Sequence, residues 1–213
     1  MPQPLTLQSL PLFPLGTVLF PGGVLPLRIF EVRYLDMVRR CQASGAPFGV
    51  VSLTRGHEVR QAGAAQESFH PVGTLATLAE VVSPQPGLMM IRAEATQRFR
   101  IRRSEQMKHG LWVADVEILP DDQPVPVPGD LKDCADKLQQ VLERLQAQAK
   151  EADATLPVQD PWHLGDCGWV ANRWCELLPL PTAMKQRLMA LDNPLLRLEL
   201  VGDVLEKTRI SGD

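Results

Sequence analysis

Residues 10 to 38 read LPLFPLGTVLFPGGVLPLRIFEVRYLDMV, and the order of breaks in this stretch decides the architecture. Thr17-Val18-Leu19-Phe20 is a short apolar run that stops at Pro21-Gly22-Gly23, a turn signal. Residues 24 to 30 form a second run. Pro26 lies inside it without a backbone N–H to donate, which predicts an edge strand or a bulged one. From Glu31 to Cys41 the period changes. Tyr34, Val38 and Cys41 share one face, with Leu35 and Met37 beside them, so the spacing predicts a helix that leaves Arg33, Arg39 and Arg40 to solvent.

Further along, residues 47 to 54, 72 to 82 and 88 to 95 are rich in β-branched and apolar side chains and predict more strands. No strand–helix–strand alternation appears, so the expected sheet is antiparallel and barrel-like. Residues 96 to 119 predict a hairpin. One arm alternates Arg98-Phe99-Arg100-Ile101-Arg102, the other Ala114-Asp115-Val116-Glu117-Ile118, and the turn falls in residues 104 to 110. A register with Arg100 opposite Asp115, Arg98 opposite Glu117 and Phe99 beside Val116 gives one apolar and one charge-matched face.

The composition shifts at residues 120 to 130, PDDQPVPVPGD, which read as a linker. Beyond it the pattern is helical. Asp130 can cap a helix to about residue 149, with Leu131, Cys134, Leu138, Val141, Leu142 and Leu145 in one stripe. Residues 165 to 178 carry Trp169, Val170, Trp174 and Leu177 and end at Pro179. Thr182 can cap a short helix, and Asn193-Pro194 opens a last one.

The chain of 213 residues is 45% hydrophobic and 22% charged, ordinary for a folded protein. A net charge of −3 offers no global attraction to phosphate backbones. No apolar run approaches the roughly 20 residues that span a bilayer. The start lacks a basic segment ahead of an apolar one, so the expected location is cytoplasmic, with Cys41, Cys134, Cys167 and Cys175 reduced and mostly buried. There is no phosphate-cradling G-K-[ST] loop, no glycine-rich dinucleotide turn and no G-x-S-x-G elbow. His57, His70, His109 and His163 lie far apart, and no catalytic residue is nominated. The strongest metal candidate is His163, Asp166, Cys167 and Cys175, but the spacing is foreign to zinc sites. The plainer reading makes Asp166 a helix cap and the cysteines small core residues; no metal and no cofactor is expected. Arg98, Arg100, Arg102 and Arg103 could meet phosphate, against the simpler reading of a strand face paired with acidic neighbours.

Residues 10 to 38 resemble the opening of the amino-terminal domain of Lon-type proteases. The run Leu10 to Leu15, the turn Val18 to Gly22, and Arg28, Phe30, Glu31, Arg33 and Tyr34 carry the likeness. Weaker matches are Phe48-Gly49-Val50-Val51, Val72-Gly73-Thr74, Arg98-Phe99-Arg100-Ile101, and the late strings NRWCELLPL and KQRLMALDNPLLRL. Pro86-Gly87 stands where the family has an acidic-glycine turn, and Ala95 where it has glycine. The resemblance implies an α+β fold: a PUA-like, mostly antiparallel β-barrel over residues 1–120, and an α-helical bundle over residues 121–213 packed on it. It also implies a non-catalytic module that recognises unfolded or client polypeptide, with a separate protease or chaperone as a further partner. The ATPase and peptidase of Lon lie outside what this sequence matches. The relative that serves as a ubiquitin-ligase receptor adds a cysteine-bound zinc domain, for which no C-x-x-C pairs exist here. RNA binding and an unrecognised hydrolase are the alternatives, RNA being disfavoured, and weak homodimerisation is left open. Phe20, Pro21, Phe30 and Tyr34 are candidates for a peptide groove, with core filling as the competing role. Glu31 at a helix start is expected to pair with Arg33 or Arg98 and tie the helix to the barrel.

Overall fold

Among the described residues, seven strands and five α-helices follow in the order β1 (Thr6–Leu15), β2 (Val24–Ile29), α1 (Val32–Ser44), β3 (Phe48–Arg55), β4 (Ser68–Phe69), β5 (Val72–Gln85), β6 (Leu88–Gln106), β7 (Trp112–Ile118), α2 (Lys132–Glu151), α3 (Cys167–Leu177), α4 (Thr182–Met189) and α5 (Pro194–Ile210). The structure, a computed structural model, describes residues 5–59, 66–151, 158 and 161–210. It divides into two compact units, Met1–Asp121 and Asp122–Asp213.

In the first unit the strands run β1-β7-β6-β5-β3, and β3 pairs back onto β1, closing a ring. That closing pair is parallel, with Leu12 opposite Gly49 and Pro14 opposite Val51; the other pairings are antiparallel. Closure leaves the ring without an open edge. Its interior is filled by Leu10, Leu12, Val51, Leu75, Phe99, Trp112 and Val116. Phe99 is fully buried, and two glycines make room for it. A Cβ on Gly49 would sit 2.7 Å from Phe99 Cζ and 2.8 Å from Leu12 Cδ2. One on Gly73 would sit 2.7 Å from Phe99 Cζ and collide with the Val50 carbonyl. A second core forms where α1 lays Tyr34, Leu35, Met37, Val38 and Cys41 against Phe13, Leu19, Ile29, Phe48, Ile91 and Leu111. Gly45, at φ 67°, stops that helix in the left-handed conformation.

Several local expectations change. Residues 17–20 form no strand; Val18, Leu19 and Phe20 are buried, and the Leu19 carbonyl takes the Thr74 hydroxyl at 2.7 Å instead of a ladder bond. The ring strand is the preceding segment, prolines included. The two strands expected before and after residue 96 are one continuous strand, β6, which pairs with β2 at Met89–Glu94 and with β7 at Phe99–Gln106. The hairpin register is also displaced by two residues. Arg100 faces Glu117 and Phe99 faces Ile118, and a bulge at Arg102 brings Arg103 opposite Asp115. A two-residue slip preserves the inward face, which explains why Phe99 and Val116 are still buried. Arg33, expected in solvent, is only 5% exposed. The turn at Pro86-Gly87 joins Gln85 to Leu88, with proline supplying a fixed φ and Gly87 the positive one, 79°.

The second unit opens with a stretch expected to be a linker, yet it is held in place. Val125 N–H donates to Asp166 Oδ2 (3.1 Å), Cys167 N–H to the Val125 carbonyl (2.8 Å) and Val127 N–H to the Gly165 carbonyl (3.0 Å). A single 3-10 turn at Gly129–Leu131 leads into α2, which buries Cys134, Ala135, Leu138 and Leu142. Asp166 caps α3 by accepting from Trp169 N–H (2.7 Å), and Cys167 and Cys175 are buried. Asn193 caps α5 through Leu196 N–H (3.1 Å), with Pro194 as its first residue. Thr182 is not a cap: Pro181 occupies that position and makes no side-chain bond. Arg197 is 1% exposed at the centre of the unit. It donates to Asp122 (2.5 Å), Asn172 Oδ1 (3.0 Å) and the Leu188 (2.9 Å) and Leu191 carbonyls. Among the described residues no helix is long and apolar enough to cross a membrane.

Candidate functional site

The first unit carries a cleft where the end of β1, the end of β2, the start of α1 and the loop after β3 meet. Phe13, Leu15, Leu27, Ile29, Phe30 and Tyr34 line it, with Val59 and the charged side chains of Arg28, Glu31 and Glu58, around a small open cavity of about 70 Å³. Its floor is rigid. The Tyr34 ring stacks on Phe13 with centroids 4.0 Å apart and planes 19° apart. Burial drives the Tyr34 phenol well above its ordinary ionisation range. Two apolar lining residues are exposed: Phe30 is 52% and Val59 45% accessible.

One wall is β2, which among the described residues pairs with β6 alone. Ala95 N–H donates to the Gly23 carbonyl (2.9 Å), which sets the phase of the ladder. Residues 23, 25, 27 and 29 therefore bond toward β6, and 24, 26 and 28 face the open edge. Pro26 falls where an N–H would project outward. The edge is thus blunted against strand addition at its midpoint, a common protection for unpaired strands.

Behind the cleft sits a buried ionic network. Arg33 Nε donates to Glu31 Oε2 (3.1 Å), and Nη1 donates to Glu67 Oε1 (3.3 Å) and the Gly110 carbonyl (2.8 Å). Its guanidinium also lies 4.5 Å from the centre of the Tyr34 ring. Glu67 Oε2 accepts from Trp112 Nε1 (3.2 Å) and Gln106 Nε2 (3.2 Å). Burial pushes the Glu67 carboxyl up, but the Trp112 hydrogen bond and the Arg33 charge outweigh it and hold the group below the usual carboxylate range. Glu31 precedes α1 and its backbone carbonyl accepts from Tyr34 and Leu35, while its side chain makes no cap bond. Its carboxylate is committed to Arg33, so the helix is tied to the sheet through Arg33, Glu67 and Gly110.

Of the residues nominated from sequence, Phe30, Glu31 and Tyr34 line the cleft and Arg33 supports it from behind. Phe20 is fully buried and Pro21 half-buried at the turn before β2. Arg98 is 4% exposed on β6 and donates to the Pro120 carbonyl, while Glu31 pairs with Arg33. Two further arginines of that strand are matched by acid: Arg102 pairs with Glu117, and Arg103 lies 3.7 Å from Glu105. Val59, Glu58 and Glu67 come from the loop after β3, where no periodic pattern marked them. Among the described residues no group of three or more His, Cys, Asp or Glu side chains could hold a metal ion, and His163 of the sequence candidate instead stacks edge-on against Trp169, while burial pushes the Cys175 thiol up to about 12.

A strand ring with one helix packed into its core and a bundle of helices after it is the architecture of a crystal structure of a Lon N-terminal domain protein from Xanthomonas campestris. The two chains are 32% identical, with 92% of this chain and 97% of that one covered and a TM-score of 0.67. The N-terminal domain of a Mycobacterium avium complex Lon protease shares the fold at 17% identity, covering 92% and 97%, with a TM-score of 0.58. The sequence profile of the ATP-dependent protease La (LON) substrate-binding domain matches residues 9–207, and the chain belongs to that family. Among curated relatives, a Lon protease of Anaeromyxobacter dehalogenans is 26% identical over 206 residues, which are 94% of this chain and 23% of that protein. A Lon protease of Flavobacterium johnsoniae is 30% identical over 94 residues, 44% of this chain and 11% of its own. The chain thus spans a quarter or less of the length of these curated relatives.

Proposed function

We propose that this protein captures unfolded or partly unfolded client polypeptides, seating an apolar side chain in the cleft beside β2, and that it does so without chemistry on the client. The observation that carries this reading is the pair of exposed apolar side chains, Phe30 and Val59, lining a cleft with an apolar floor. Keeping large apolar groups in water is costly, and clustered ones mark recognition surfaces. Membership of a substrate-binding family supports the same role. The blunted β2 edge favours recognition led by side chains over addition of a strand.

Covering the exposed half of Phe30 is worth about 1–1.5 kcal/mol, or about tenfold in affinity. A labelled, reduced and carboxymethylated polypeptide titrated with the protein tests this by fluorescence anisotropy. Phe30→Ser should weaken binding about tenfold while leaving the fold intact. Equal affinity for the variant, or no binding by the native chain, overturns the proposal.

A further inference from the structure

We infer that the cleft selects apolar client residues that have a lysine or arginine next to them in sequence, a specificity that rests on the client-binding reading above. The argument is the imbalance of charge around an apolar floor. Glu31 and Glu58 both line the cleft, and Glu67 lies directly behind it. Two of these carboxylates, Glu31 and Glu67, share the single guanidinium of Arg33. Among the described residues Arg28 in the β2 wall is the other lining cation, so three carboxylates stand there against two guanidiniums. Glu58 is exposed and uses Oε1 to accept the Gly16 N–H at 2.6 Å. That bond fixes the carboxylate at the cleft's margin, where a cation flanking a seated apolar residue would find it.

The charge can be removed without removing the scaffold. In Glu58→Gln an amide oxygen still accepts from Gly16 N–H. In Glu31→Gln, Arg33 keeps Glu67 and the Gly110 carbonyl. The test uses three labelled peptides of one Gly-Ser background that differ only in a central Phe-Lys, Phe-Ser or Phe-Glu pair, titrated by anisotropy. Affinity should fall about threefold at each step from Lys to Ser to Glu, the size expected of solvent-exposed charge pairs, and the steps should shrink as salt is raised. In the double variant Glu31→Gln/Glu58→Gln the three peptides should converge on the Phe-Ser affinity, with unchanged circular dichroism. Equal binding of all three by the native protein overturns this inference and leaves the client-binding proposal standing. Binding of none of them overturns both. Self-association in sedimentation that these peptides fail to compete makes a second copy the occupant, and the inference falls.

Discussion

Arg33→Met tests the account of the buried network most sharply. The substitution keeps much of the side chain's length and apolar stem but removes the guanidinium, which is 5% exposed and bonds Glu31, Glu67 and the Gly110 carbonyl. Glu67, itself only 10% exposed at its side chain, then keeps the Trp112 and Gln106 bonds but loses its countercharge. Breaking a buried pair by deleting one partner costs about 3–5 kcal/mol. The surviving neutral donors to Glu67 place this case near the lower end, about 3 kcal/mol. Arg39→Met is the control. Its ion pair with Asp36 is as short, 2.9 Å, but Arg39 is 56% exposed, and such a pair contributes about 0–0.5 kcal/mol. Urea unfolding followed by the circular dichroism of the sheet reads both. Similar small losses for the two variants would refute the claim that burial, and not bond length, sets the strength of this network.

Three further outcomes follow from the same packing. Gly73→Ala must displace either Phe99 or the Val50 carbonyl, so it should cost up to about 3 kcal/mol in the same urea titration; a loss under 1 kcal/mol would mean the ring yields there. Asp166→Ala removes the α3 cap and the bond to Val125 N–H, and should cost about 1–2 kcal/mol, with faster amide exchange at Trp169 and Val125 as its signature. Glu67 ionises below the ordinary carboxylate value near 4.5. Its stabilisation is therefore complete above that value and lost as pH falls through the lower, folded one. Glu67→Gln should lower stability at neutral pH and flatten its decline in acid, and an unchanged acid profile would contradict this.

The parts of the fold that were legible in the sequence are those governed by local pattern. The stripe Tyr34, Val38 and Cys41 announces α1, and Asn193-Pro194 announces α5. Pro26 marks an edge strand because one missing N–H suffices to decide it. Failures come where a distant group overrides the local signal. Arg33 sits at the solvent position of a helical wheel, yet its partners lie 34 and 77 residues away, and no periodicity reports them. β6 reads as two strands because it exchanges β2 for β7 as its partner, so its inward face is set by different neighbours along its length. The hairpin register is displaced by its turn, which is confined to residues 107–111 so that Gln106 pairs with Trp112, and the Arg102 bulge then shifts the pairing by one residue with no glycine or proline to signal it. At the candidate site, Phe30, Glu31 and Tyr34 could be nominated because they are adjacent in sequence. Val59 and Glu58 reach the same cleft from a loop, where function has no period.

The claim on which the functional reading depends is that client polypeptide binds beside β2. Backbone amide shifts of the 15N-labelled protein, recorded while an unfolded polypeptide is added, locate binding residue by residue. The account predicts saturable shifts at Phe30, Glu31, Val32, Tyr34 and Val59, and none across the arginines of β6. Saturable binding whose shifts spare those five residues, or no shift at all at millimolar polypeptide, would contradict it.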